Sequence, residues 1–436
     1  MTTPLEGEAV GDQRNGGPPP RAGWRPQALA LKVARSDKVR TSLAFIAAAV
    51  AFAGANLLLA RHLEPAVYGV LALMVAIIVV GSALGPLGLG IMVVRQHLPA
   101  HRRLLLHCAG TATLVAAGAG TVAWAYGLTP VGVATVALGV FGGAFIRLAS
   151  GKLQSDERFV ASTLVSESLN YLLLLAALLA IGLGLEGATE PILLVALAQV
   201  LLATTVWLPL LASDRHAERP VGPLNLTEMA LLTGTNAAML VLLQVERFAI
   251  PMFLNVEQLA AFAVLAVFTI APFRPIEFGT YRTLLPRLRR PASVQERRRI
   301  LLKEVIQTLV ALAALALALL AVTPYVLHWL FGGKYTFSLG AVLAAIVGGQ
   351  MRVARALVAA TISALADQRG LAFWNVASWI TVGAAFLGGW AGSPWGLEGF
   401  LWGVAAAGLT NILITVPVAR RALRAPARLA SPVGTE

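Results

Sequence analysis

Residues 338–365 read SLGAVLAAIVGGQMRVARALVAATISAL, and the fold turns on how that run is taken. It is long enough to cross a bilayer, since a spanning helix needs roughly 20 apolar residues. It holds no acidic residue, yet Arg352 and Arg355 stand near its middle. A guanidinium at that depth costs about 2.5–3.5 kcal/mol on insertion scales unless it faces protein or water. The run therefore reads as a transmembrane helix with one face turned to a polar interior.

Working outward, eleven further runs have membrane length: 41–60, 66–94, 104–126, 129–149, 160–184 and 190–211, then 228–253, 257–280, 302–323, 371–390 and 396–418. Of the 34 Lys and Arg residues, counting Arg147 and Lys303 at the run ends with the adjoining loops, 28 fall on one side of these twelve runs, two on the other and four inside. That bias predicts the orientation, because basic loops stay cytoplasmic. Both termini are expected inside, with no cleavable signal peptide and only Arg61 and Lys334 in the outer loops. Trp124, Tyr126, Tyr325, Trp329, Trp390 and Trp395 mark the outer boundary as an aromatic belt would.

Composition agrees: 58% hydrophobic, 13% charged and a mean hydropathy of +0.76 belong to a polytopic membrane protein. A net charge of +13 would suggest nucleic acid in a soluble chain; here positive-inside loops account for most of it, so no nucleic-acid partner is expected. Cys108 is alone, which excludes an intrachain disulfide. No metal site, no cofactor and no catalytic constellation is expected, and the chain is not read as an enzyme. The outer acids Glu64, Glu186, Glu190, Glu257 and Glu398 are scattered over short loops, and there is no Walker motif.

The predicted fold is all-α and integral to the membrane, with about 12 transmembrane helices in two pseudo-symmetric six-helix lobes around a central cavity. The expected divisions are a basic cytoplasmic tail over 1–38, an amino-terminal lobe over 39–212, a linker over 213–226, a carboxyl-terminal lobe over 227–420 and a tail over 421–436. A weak repeat at an offset of 191 supports two halves: Leu63 maps to Leu254, Pro86 to the turn at Pro275–Glu277, and Gly88 to Gly279. It predicts that both second helices break at the same point, at Gly85–Gly88 and at Pro272–Pro275, and matched breaks point to a transporter's substrate region.

Four cations lie inside the runs: Arg247, Arg274, Arg352 and Arg355. Arg352 and Arg355 are three apart and share a helix face; paired guanidiniums suit a diphosphate, because Arg forms charge-assisted forks to phosphate oxygens. They are equally suited to bridges with Glu167 or Glu246. Arg247 and Glu246 are neighbours that point about 100° apart, so one should face the cavity and the other a partner helix. Arg274 and Glu277 can satisfy each other at i, i+3. Glu167, Glu246 and Glu277 are thus candidates for ion coupling or for counter-ions. Gln199, Gln244, Gln350, Asn56 and Asn236 line the same cavity or join helices. Gly348-Gly349 leaves room for a headgroup or a hinge, and the pairs Gly81/Gly85 and Gly139/Gly143 mark close helix packing.

Several short motifs carry a family resemblance. Leu59–Gly69, LARHLEPAVYG, resembles the LAR-x-L-x-P-x-x-YG junction between the first two helices of bacterial polysaccharide flippases. Glu246-Arg247-Phe248 through Leu254, Leu285-Pro286-Arg287 and Phe331-Gly332-Gly333-Lys334-Tyr335 are similar to that family's second half. Over 41–418 the chain thus resembles the polysaccharide transporter branch of the multidrug/oligosaccharidyl-lipid/polysaccharide exporter superfamily. The resemblance implies two lobes around a cavity open alternately to each side. It further implies a polyprenyl-diphosphate-linked oligosaccharide as substrate, moved to the outer leaflet of a bacterial inner membrane for cell-surface polysaccharide synthesis, beside polymerases and glycosyltransferases. The alternatives are an ion-coupled drug antiporter of the same fold, using Glu167, and a scaffold subunit of a polysaccharide assembly complex.

Overall fold

The computed structural model describes residues 37–96, 98–213, 226–289 and 293–424. The expected tails and the 213–226 linker lie wholly or mostly outside these. Within them the chain is helical, with no strand. The first half comprises α1 (Asp37–His62), α2 (Pro65–Leu84), α3 (Leu89–Gln96), α4 (Arg102–Ala125), α5 (Pro130–Ser155), α6 (Phe159–Ser166), α7 (Ser168–Leu183) and α8 (Thr189–Ser213). The second comprises α9 (Leu226–Leu243), α10 (Val245–Phe253), α11 (Val256–Thr269), α12 (Arg274–Arg289), α13 (Val294–Phe331), α14 (Leu339–Leu365), α15 (Gln368–Gly392) and α16 (Gly396–Arg424).

Local chemistry sets the ends. Pro65 and Pro130 open α2 and α5, where a missing N–H costs nothing. Asn255, Ser293, Ser338 and Asp367 cap α11, α13, α14 and α15 by accepting from a backbone N–H three residues on. Each such cap stabilises by about 1 kcal/mol. His101 does the same for α4, taking the Leu104 N–H at 3.1 Å.

Nine stretches among the described residues are long and apolar enough to cross a membrane, or ten with the α6–α7 pair, bent by 47°. The last of them, Arg369–Arg424, is 56 residues long and is really two crossings. A 3-10 turn at Ser393–Trp395 and Gly396 at φ 69° fold it into a hairpin. The broken pair α9–α10 supplies the twelfth. Four crossings are interrupted: the second at 85–88, the fifth at Glu167, the seventh at Gln244 and the eighth at 270–273. The first and last were expected; the breaks at Glu167 and Gln244 carry neither Gly nor Pro and were not. The repeat is also out of register, because its offset pairs Gly85 with Ile276, inside α12. The ninth crossing, α13, is longer than expected and runs on into the basic loop.

Each set of six crossings packs mainly on itself, the first around α5 and the second around α14 and α16. The halves meet along α2 and α11, with α1, α9 and α10 adding to the seam. The two GxxxG pairs pack on one another: a Cβ on Gly143 would strike Ser82, and one on Gly139 would strike Ile78. The α15–α16 hairpin is closer still, since a Cβ on Gly403 would overlap the Gly388 carbonyl. Backbone cannot give way as a side chain can. Gly403→Leu is expected to lower thermal stability by at least the roughly 1–3 kcal/mol of an overpacked core, read as the melting temperature of detergent-purified protein.

Trp124, Tyr325, Trp329, Trp390 and Trp395 are all exposed at one end of the bundle, as a belt requires. Tyr126 is the exception. It turns inward and donates across the seam to the Phe248 carbonyl at 2.7 Å.

Candidate substrate cavity

The interior charges converge because two helices start there and a third passes through at the same level. The break at Gln244 restarts the chain as α10, which places Glu246 and Arg247 in its first turn. An acid is favoured at that helix end, where unpaired N–H groups make the field positive. The 3-10 turn Ala271–Phe273 likewise delivers Arg274 as the first residue of α12. Arg352 and Arg355 reach the same level from the middle of the unbroken α14.

Glu246 and Arg352 form a forked ion pair, with one guanidinium nitrogen 2.7 and 2.9 Å from the two carboxylate oxygens. Both side chains are largely buried, at 12% exposure for Arg352 and 7% for Glu246. Arg247, the neighbour of Glu246, points the other way. Its guanidinium lies 5.8 Å from the centre of the Phe52 ring on α1, and that of Arg274 lies at the same distance from the same ring. Two cations therefore share one aromatic ring, an attraction of about 0.5–2 kcal/mol each. Neither makes a hydrogen bond or ion pair among the described residues, and one terminal nitrogen of Arg355 is buried with no partner.

The expected Arg274–Glu277 pair does not form, and Glu167 instead accepts from Asn170 at 2.9 Å. Of the amides, Gln244 lines the cavity. Gln350 donates weakly to Leu312, Asn56 joins Phe52 to Tyr68, and Gln199 is buried beside Gly142 and Gly143. The side chain of Asn236 lies outside the described residues. Gly349 makes room for the Phe273 ring, while Gly348 faces open space.

The ion pair stands between two small cavities. One, about 30 Å³, is lined by Phe52, Gln244, Arg247 and Arg274; the other, about 40 Å³, by Gly348, Met351, Arg355 and Gly408. Each holds a few waters at most, since one water needs about 10–15 Å³. A larger space of about 350 Å³ opens toward the basic end, between the α2–α3 break, α5 and Thr233 of α9. Arg147 lines it. By its place at the end of the run 129–149 Arg147 reads as a loop cation; the neighbouring break at Pro86 and Gly88 is the signal that it faces a cavity.

The overall fold is similar to that of solved transporters, among them a member of the multidrug/oligosaccharidyl-lipid/polysaccharide exporter superfamily. The chain is similar to an inward-facing multidrug resistance MATE transporter of that superfamily (TM-score 0.61, 13% identity, covering 86% of this chain and 94% of that one). It is similar to the lipid II flippase MurJ in an inward closed conformation (TM-score 0.64, 10% identity, 87% of each chain). It also resembles the MATE multidrug transporter DinF-BH (TM-score 0.58, 15% identity, 89% and 95%). No family's sequence profile matches the chain, and no curated protein matches it.

Proposed function

We propose that the chain is a flippase that carries a polyprenyl-diphosphate-linked oligosaccharide across a bacterial inner membrane by alternating access. One observation supports the anionic substrate above all. The interior holds four guanidiniums, and only Arg352 has a carboxylate partner among the described residues. Glu277 lies close enough to act electrostatically on Arg274 and Arg355 without pairing to either, so the seam keeps a net positive charge, which an anion entering it would neutralise. A cationic-drug antiporter requires the opposite sign. The two cavities beside the ion pair are too small for a headgroup as they stand, so binding there requires the halves to part.

In this reading residues 39–212 and 227–420 are the lobes, the basic loops are cytoplasmic and the charge-poor end faces out. Expression in a flippase-null strain is expected to restore surface polysaccharide and to clear lipid-linked intermediates from the inner leaflet. Restored drug resistance without that clearance would favour the antiporter. Topology is checked with an impermeant thiol reagent in intact cells. Arg297 is buried, so the exposed Arg298 is the position to test; Arg298→Cys should stay unlabelled, and labelling there would overturn the helix count.

A further inference from the structure

Two of the short motifs, 271 residues apart in sequence, meet at the charge-poor end. The chain after α13 turns back through Gly332 and Gly333, at φ 56° and 87°, backbone values that favour glycine. That turn presents Lys334 to the end of α1 in the other half. Its ammonium donates to the carbonyls of Ala60 at 3.0 Å, Arg61 at 3.2 Å and Leu63 at 2.6 Å. All three of its protons are thereby used. The last carbonyls of a helix lack intrahelical partners and carry its negative dipole end; here a lysine from the opposite half satisfies them. Tyr335 adds a bond from its hydroxyl to the Ala60 carbonyl at 3.3 Å and packs edge-on against Phe331. Nearby, Gly69 of α2 admits the Val256 carbonyl so closely that a Cβ would overlap it.

We infer that Lys334 is a latch that holds the two halves together at the charge-poor end, and that its release precedes opening of the seam on that side. The inference rests on the alternating-access reading but not on the substrate. The three carbonyls belong to one half and the ammonium to the other, so parting the halves must break all three bonds at once. Burial against α1 lowers the Lys334 pKa, with Glu64 opposing the shift. That desolvation is relieved when the latch opens. Water can replace the hydrogen bonds then, whereas an apolar contact would only lose.

The test uses Ala53→Cys, which lines the cavity beside Phe52, in a background whose sole cysteine, Cys108, is buried. An impermeant maleimide is added from the charge-poor side of reconstituted vesicles, without substrate. Lys334→Met is expected to raise the labelling rate about tenfold or more, while Lys334→Arg stays near the parent. An unchanged rate in a folded Lys334→Met protein would overturn the latch and leave an ordinary helix cap, with the flippase reading intact. Should that variant not fold, the folded parent and Lys334→Arg are both acetylated on their lysines. Only the parent loses charge at position 334, so only the parent should label faster; equal rates would again overturn the latch.

Discussion

Glu246→Ala is expected to collapse the folded population, although it truncates a single side chain. Its carboxylate is the partner of Arg352, and that guanidinium is largely buried, so the few waters of the adjoining cavities replace the carboxylate only in part. Removing one member of a buried ion pair costs about 3–5 kcal/mol, because the other charge stays behind. That is a large share of the roughly 5–15 kcal/mol that holds a protein folded. Abundance and melting temperature in detergent would both fall. The double change Glu246→Leu with Arg352→Met should recover both, since apolar replacement of a whole buried pair is often neutral. A Glu246→Ala variant as stable as the parent would show that Arg352 is already free to hold an anion. The same logic makes Arg352 a poor probe of substrate binding: its removal orphans Glu246.

Arg247, Arg274 and Arg355 give the cleaner result, and the second large effect is expected there. None of the three is ion-paired among the described residues, so alanine at any of them breaks no salt bridge. Folded protein should therefore accumulate while transport drops. A hydrogen bond to a charged group contributes about 1.5–3 kcal/mol, which corresponds to roughly ten- to hundredfold per residue in transport rate. Lysine should rescue only in part, because an ammonium keeps the charge but loses the planar fork. At Arg247 and Arg274 it would also lose some of the attraction to the Phe52 ring that both cations share. Normal export by a stable triple-alanine variant would end the anionic-substrate reading.

Much of the architecture was legible because a bilayer leaves few choices. Apolar run length sets the crossings, and the short turns that join them sit where Pro, Gly and capping residues stand. The breaks at 85–88 and 270–273 announced themselves through Gly and Pro. Those at Glu167 and Gln244 did not, since a polar residue at a helix break looks the same in sequence as one inside a continuous helix. The repeat offset failed for a related reason: Ala, Leu and Gly recur so often that many registers match.

The candidate site was legible in membership and not in pairing. A charge in an apolar helix is conspicuous whatever it touches, so Arg247, Arg274, Arg352 and Arg355 stood out at once. Which carboxylate each meets depends on how α1, α10, α12 and α14 are rotated against one another, and no local spacing encodes that. The i, i+3 relation of Arg274 and Glu277 suggested a pair that does not form, while Glu246, 106 residues from Arg352, supplies the one that does. The sequence by itself determined that this chain crosses a membrane about twelve times with cations buried inside, because the cost of polar groups in hydrocarbon is local and additive. Only the tertiary structure decided which cation is neutralised, which three remain, and that Lys334 closes the end of α1, because ion pairs and helix caps between distant segments are set by packing.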